Sequence, residues 1–268
     1  MKASVLFFMC VLSCASLFGY DIDAGRRIGM GGTILITSPS ASDFLLVPAV
    51  RILNRQILFE SGFQRRYDLP ELDKGYLAAG YRRRSFSFAI GISQFGKDDY
   101  YSEKIIRTAL GFYYGAFAFG LHGSGKAIKI GNGYGAFNAK SFGLSGGFSH
   151  EEYHLVVMAD NLNKPKLTEN TEPEPTFWKI YAELKGSKTF SITGKMVLEK
   201  RQKISVALGQ YIFLSGRNAI FWGLTGNPLT YAGGVEVSYS KIILNYAASY
   251  HPALGFSHNV SLGLALKK

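Results

Sequence analysis

Phe256-Ser257-His258-Asn259-Val260-Ser261-Leu262-Gly263-Leu264-Ala265-Leu266 puts large apolar side chains on one parity and small or polar ones on the other. Successive side chains of an extended strand point to opposite faces, so the stretch reads as a strand with one oily face and one face of small residues. Only His258 interrupts the oily row. The segment before it repeats the pattern, with Ile242, Leu244, Tyr246, Ala248 and Tyr250 over Ile243, Asn245, Ala247, Ser249 and His251. Further rows are Phe86, Phe88, Ile90 and Ile92 over Ser85, Ser87, Ala89 and Gly91, and Trp178, Ile180, Ala182 and Leu184 over Lys179, Tyr181, Glu183 and Lys185. About fourteen such segments fill residues 53–268, a spacing that suits membrane strands of ~10 residues joined by short links.

The two faces identify the surroundings. A water-soluble β-sandwich turns its bulky face to a core and carries charge on the other. Here the second face is Gly, Ser, Ala and Asn, with a few polar exceptions: Arg107, Lys126, Lys179, Glu183, Lys195, Glu199, Glu236 and Asn245. Small uncharged residues suit a confined interior, and the oily row then requires hydrocarbon. Closure of the sheet follows, because no unpaired backbone edge survives in lipid. The fold class expected is therefore all-β, a transmembrane antiparallel β-barrel of about fourteen strands. Tyr100, Tyr101, Tyr113, Tyr114, Trp178, Tyr211, Trp222 and Tyr239 are expected at the membrane interfaces. The connections at 67–74, 95–103, 127–135 and 163–175 read as long and the alternate ones as tight, the asymmetry of a barrel whose termini both face the periplasm.

Composition agrees. The chain has 268 residues, of which 47% are hydrophobic and 18% charged, with 31 Gly, 16 Tyr and 20 Phe. That excludes a disordered chain, and Gly without a three-residue period excludes collagen. A mean hydropathy of +0.06 is too low for a bundle of membrane helices. The formal charge is +11, spread along the chain; export removes nucleic acid from reach and leaves lipid phosphates, of outer-membrane lipid or lipopolysaccharide, as the counterpart.

The N-terminus reads as an export signal. Met1-Lys2 is basic, Ala3 to Phe18 is apolar, and small residues lead to Gly19, so residues 1–19 are expected to be removed. Both cysteines, Cys10 and Cys14, lie inside it; Val11-Leu12-Ser13-Cys14 offers a degenerate lipidation signal as the alternative. Residues 20–52 do not alternate and divide the chain into a hatch segment and a barrel at 53–268. The hatch candidates are Arg26, Arg27, Gly29, Gly31, Gly32, Asp43 and Pro48, with a short helix in 40–52 opened by Ser42 or Asp43. A segment of this size entering the lumen accounts for a wall of small residues.

Ala24-Gly25-Arg26-Arg27-Ile28-Gly29-Met30-Gly31-Gly32-Thr33, then Asp43 and Pro48-Ala49, resembles the start of outer-membrane barrels of the PorV/PorQ type, relatives of the FadL fatty-acid transporters. Gly234-Val235-Glu236-Val237, Asn245-Tyr246-Ala247 and Leu254 to Gly263 resemble their C-terminal end. The chain departs from the family at Val47 and Asn245, where the family carries Asn and Asp, and in ending on Lys267-Lys268. The resemblance implies a fourteen-stranded barrel with a hatch in its lumen, in the outer membrane of a Gram-negative-type bacterium. Such a barrel passes or holds hydrophobic molecules or takes part in type IX protein secretion; a plugged scaffold and a lipid-modifying enzyme are the alternatives.

The residues give no catalytic or cofactor site. Gly120 to Ala127 nearly spells a phosphate-binding loop but has Ala127 in place of the metal-binding hydroxyl, and no helix follows. Ser257, His258 and Asn259 cannot converge from alternating faces of one strand. His122, His150, His154, His251 and His258 lack metal-ligand spacing, and Asp98-Asp99 reads as solvated. Lys179, Glu183, Lys185, Lys195 and Glu199 are expected to form a lumenal ionic ladder.

Overall fold

The computed structural model describes residue 22 and residues 25–50, 56–83, 85–97, 100–131, 135–168, 171–187, 189–199, 203–214 and 218–267. The expected export signal, residues 51–55 and Asp98-Asp99 lie outside them. Fourteen antiparallel strands among the described residues form a closed barrel in which each pairs with its sequence neighbours and the first with the last. They are β1 (Gln56–Arg66), β2 (Leu69–Arg83), β3 (Phe86–Lys97), β4 (Tyr101–Tyr114), β5 (Phe117–Ile130), β6 (Gly135–Ser149) and β7 (Tyr153–Asp160). The ring continues with β8 (Phe177–Lys185), β9 (Phe190–Glu199), β10 (Ser205–Phe213), β11 (Ala219–Thr225), β12 (Thr230–Tyr239), β13 (Ile242–His251) and β14 (Gly255–Lys267). Closure runs from Gln56 opposite Lys267 to Arg65 opposite His258. No edge is left for water or a second chain to pair with.

The alternation sorts side chains as the sequence pattern predicts. On β3, Phe86, Phe88, Ile90 and Ile92 point outward, between 37% and 48% exposed, whereas Ser87 and Ala89 are fully buried. The same oily belt continues around the ring through Leu144, Leu155, Trp178, Leu208, Val235 and Val260. A continuous apolar girdle far exceeds the few hundred Å² that soluble monomers leave exposed.

Two of the expected details are corrected. The connection expected over 67–74 is a two-residue turn, Tyr67-Asp68, with φ of 54° and 56°, the left-handed pair of a tight hairpin. β2 already begins at Leu69, and β3 to β6 likewise run on to Lys97, Tyr101, Ile130 and Gly135. Above the oily belt these strands continue as polar hairpins, whose residues no longer alternate in hydropathy. The stretch 161–176, between β7 and β8, remains long. Tyr113 and Tyr211, expected at the interfaces, instead face the lumen and are almost wholly buried.

The interior is filled by residues 25–50. Helix α1 (Gly25–Gly29) packs on β11 to β14, and helix α2 (Ala41–Leu46) packs on β1 to β4. Ser40, not Ser42 or Asp43, caps α2; its hydroxyl accepts from the Asp43 backbone N–H while the Asp43 carboxylate accepts from the Ser40 N–H, a reciprocal capping box. Phe44, Leu45, Leu46 and Val47 are buried to 2% exposure or less. Each such side chain contributes roughly 1.5–3 kcal/mol of hydrophobic stabilisation.

Candidate functional site

The plug and the wall it touches form the candidate site, and glycine sets how closely they approach. A Cβ on wall residue Gly223 would lie 2.2 Å from the Met30 carbonyl carbon, and one on Gly120 would lie 2.6 Å from Pro48. Both distances are below any real contact, so the small-residue face is what admits the plug.

Polar contacts then fasten the plug at points spread around the ring. Arg26 on α1 donates to the Asp43 carboxylate at 2.9 Å and to the Ser38 carbonyl at 2.6 Å, and its guanidinium lies 3.6 Å from the Glu236 carboxylate on β12. Burial alone would lower the Arg26 pKa; the facing Asp43 and Glu236 carboxylates more than offset it and hold the group charged above its ordinary range. Tyr211 donates to Glu236 at 2.8 Å and lies against the same guanidinium. Arg27 donates to the Ile22 carbonyl. Gly31, at φ +68°, abuts the Leu224 backbone, and its carbonyl accepts from the Thr225 hydroxyl at 2.6 Å.

Beyond Gly32, the chain crosses the lumen along β9 and β8. Thr33 meets Thr193 at 2.6 Å, and the Glu183 carboxylate accepts from both the backbone and the hydroxyl of Thr37, at 2.9 and 2.7 Å. At α2, Glu60 on β1 accepts from the Ser42 N–H and hydroxyl, at 3.0 and 2.6 Å, and from Tyr76 at 2.9 Å. The end of the plug rests on β4, where Tyr113 donates to the Val50 carbonyl at 2.9 Å and Arg107 to the Leu46 carbonyl at 3.2 Å. The Tyr113 hydroxyl also lies 3.3 Å from the Pro48 carbonyl.

A second charged centre lies in the wall itself. The Asp160 carboxylate on β7 gathers Arg107 at 3.2 Å, His122 at 2.5 Å and Lys179 at 3.0 Å, each from a different strand and all buried. One carboxylate held by three cationic or hydrogen-bonding partners is the arrangement that makes a buried charge tolerable.

The sequence-predicted residues therefore divide. Arg26, Arg107, Glu183 and Glu236 meet in plug-to-wall contacts, Asp43 pairs with Arg26 within the plug, and Gly29 packs against Phe221 with no room for a Cβ. Asn245 is buried beside Gly25. Lys126 pairs across the lumen face with Glu103 at 3.3 Å. Of the residues expected in a ladder over 179–199, Lys179 pairs with Asp160 on β7 and Glu183 accepts from the plug at Thr37. Lys185 is exposed. Asp160, Glu60, Tyr113 and Tyr211 were missed. Parity alone assigns the two tyrosines to the lumen, since Tyr113 shares its face with Arg107 and Ala109, and Tyr211 with Ala207 and Gly209.

At the rim where β1, β7, β9, β11 and β13 end, a vestibule of about 270 Å³ opens above the plug. Its floor is Ile28, Gly31 and Gly32, and Lys179, Lys195 and Glu199 stand in its wall. Ser257 faces inward and accepts from the Tyr67 N–H, while His258 faces outward and bonds Tyr246, so the two share no site. The near-phosphate-loop segment 120–127 is regular β5 strand. Among the described residues no group of acidic, histidine or cysteine side chains has metal-binding geometry.

No family model matches the sequence, and no curated protein is similar to it. Solved structures are similar in fold. The Pseudomonas putida toluene transporter TodX superposes with a TM-score of 0.64 at 9% identity, over 93% of this chain and 99% of that chain. A TodX monoaromatic hydrocarbon channel mutant gives 0.61 at 9% identity, over 92% and 98%. The Acinetobacter baumannii outer membrane protein Omp33 gives 0.52 at 6% identity, over 81% and 100%. The fold is that of outer-membrane β-barrel channels.

Proposed function

We propose that this chain, exported by its N-terminal segment, resides in the outer membrane as a FadL-like channel or carrier for hydrophobic molecules, with residues 20–52 as its hatch. One observation carries the reading: the vestibule is floored by the plug, at Ile28, Gly31 and Gly32, so that a molecule entering the mouth lands on the segment that has to move. The plug is held to the wall through separate polar contacts at Thr33, Thr37 and Ser42, each of which a small displacement breaks. The likeness to a toluene transporter supports a hydrophobic cargo. A secretion-apparatus role of the PorV type is the less favoured form, because long connections for holding cargo are missing from the described hairpins β1–β2, β3–β4 and β5–β6.

Deleting residues 21–48 and recording single-channel conductance and uptake of a hydrophobic dye tests the hatch. A rise in both, in a barrel that still shows heat-modifiable gel migration, is the expected result; unchanged permeability in the inserted barrel overturns it. A scaffold without transport is favoured instead if the deletion changes nothing and a stable partner copurifies from outer membranes.

A further inference from the structure

Two openings approach each other through one short piece of the plug. Gly32 stands in the floor of the vestibule, and four residues further on Ile36 lines a second cavity, of about 360 Å³, with Thr37, Ser149, His154 and Lys185. Ser149 ends β6, Lys185 ends β8 and Lys267 ends β14, so this cavity lies at the rim where β1 begins. In the orientation with both termini in the periplasm, it opens to the periplasm and the vestibule opens to the outside. Gly32 and Thr37 are partly exposed, whereas Thr33, Ile34, Leu35 and Ile36 are buried between them. On this side of the lumen a single crossing of chain stands between the two openings.

The wall behind that crossing is polar from one cavity to the other. Inward-facing residues of β8 and β9 pair as Tyr181 opposite Lys195, Glu183 opposite Thr193 and Lys185 opposite Ser191. Lys195 lines the vestibule and Lys185 the lower cavity, so the stripe is continuous over about 13 Å. Such a stripe takes up water once uncovered, whereas an apolar surface stays dry. Helix α2 covers the other kind of wall, since Phe44 and Leu45 share one buried cluster with Ala78, Ala89 and Ala109. Three hydrogen bonds fasten the crossing to the polar stripe, one from Thr33 to Thr193 and two from Thr37 to Glu183. Above it the chain turns at Gly31 and Gly32, with φ of 68° and 85°, the left-handed region that favours glycine. Lifting the crossing exposes Ile34, Leu35 and Ile36, so the closed state dominates and openings are brief.

We propose that Thr33 to Thr37 is a gate over a polar route along β8 and β9, through which the barrel passes small water-soluble solutes and ions from the vestibule to the periplasmic cavity while α1 and α2 stay seated. The inference rests on the membrane-barrel reading above and adds a second class of cargo to it. Residues 20–268 hold no cysteine, so Thr33→Cys with Thr193→Cys supplies a clean tether. The hydroxyls it replaces stand 2.6 Å apart, within disulfide reach. The exported protein is placed in planar bilayers under potassium chloride and in vesicles that swell on arabinose entry. Conductance and swelling are expected in the reduced double variant, to vanish on oxidation and to return with reductant. Thr33→Val and Thr37→Val, each removing one hydroxyl donor at constant shape, are expected to raise the opening frequency roughly fivefold. Equal conductance of the oxidised and reduced forms, with the disulfide confirmed by mass, overturns the route, as does silence of the wild type and both Val variants. Vesicle insertion and uptake of a hydrophobic dye are measured in parallel. Failure to insert sinks the membrane reading beneath the proposal, and dye uptake without tether-dependent conductance sinks the polar route alone. Tether-dependent conductance without dye uptake upholds the route and refutes the hydrophobic cargo.

Discussion

Arg26 and Asp43 lie 2.9 Å apart inside the barrel, an ion pair buried on both sides that ties α1 to α2 across the lumen. Because Asp43 also serves as the third residue of the α2 capping box, one carboxylate closes the plug on itself and holds the helix start. Its geometry makes the plug a folded unit rather than a tail lying along the wall.

Asp43→Ala removes the pair and the box together. Of its carboxylate partners, Arg26 then keeps the longer contact to Glu236, at 3.6 Å, beside its hydrogen bond to the Ser38 carbonyl. Loss of a buried partner costs about 3 kcal/mol, borne by the plug while the strand ladder stays intact. Limited trypsin digestion of the folded barrel is expected to cut at Arg26 or Arg27 in the variant and to spare the wild type. Equal resistance would show that the wall, not this pair, holds the plug.

Gly223→Val places a side chain where the Met30 carbonyl is. The strand has a ladder on both sides and the plug has none there, so the plug is what shifts, at a cost of about 1–3 kcal/mol. Raised single-channel conductance with unaltered heat-modifiable migration is the expected outcome. Gly194→Val is the control, since it points outward with nothing closer than 4.0 Å.

Asp160→Asn leaves Arg107 and Lys179 buried near one another without their shared carboxylate. Urea unfolding of the vesicle-inserted barrel is expected to show a loss of about 3–5 kcal/mol. Adding Lys179→Met to the variant recovers part of that loss, because it removes one of the stranded charges. If the double variant is as destabilised as the sum of the two singles, the three groups do not act as a unit.

Much of this was legible along the chain and some of it was not, for a physical reason. Period-two alternation is local, so Phe86 to Ile92 or Phe256 to Leu262 reveal both the strand and its outward face. The same parity turns Arg107, Lys179, Glu183 and Glu236 inward. What the lumenal groups touch depends on residues far away in sequence: Thr37 meets Glu183 across 146 positions, and Thr225 meets Gly31 across 194. No local pattern encodes those meetings. Tyr113 and Tyr211 were placed at the interfaces by residue type when their parity already put them inside. The polar hairpin β1–β2 was read as a loop because hydropathy stops alternating once a strand leaves the oily belt.

The face assignment itself is open to a direct test at Ile90, which points outward on β3 and is 43% exposed. In a protein bathed in water, Ile→Lys at so exposed a position changes stability by less than about 0.5 kcal/mol. In hydrocarbon the same change costs about 2–4 kcal/mol near the middle of the bilayer and little at its edges. Ile90→Lys is therefore expected to lower the urea midpoint of the vesicle-inserted barrel markedly. Tyr114→Lys, at an 84% exposed position on the last residue of β4, is expected to leave it nearly unchanged. The contrast in magnitude between the two sites reports depth in lipid, which no sandwich in water reproduces. If both substitutions are equally harmless, the oily girdle does not touch acyl chains.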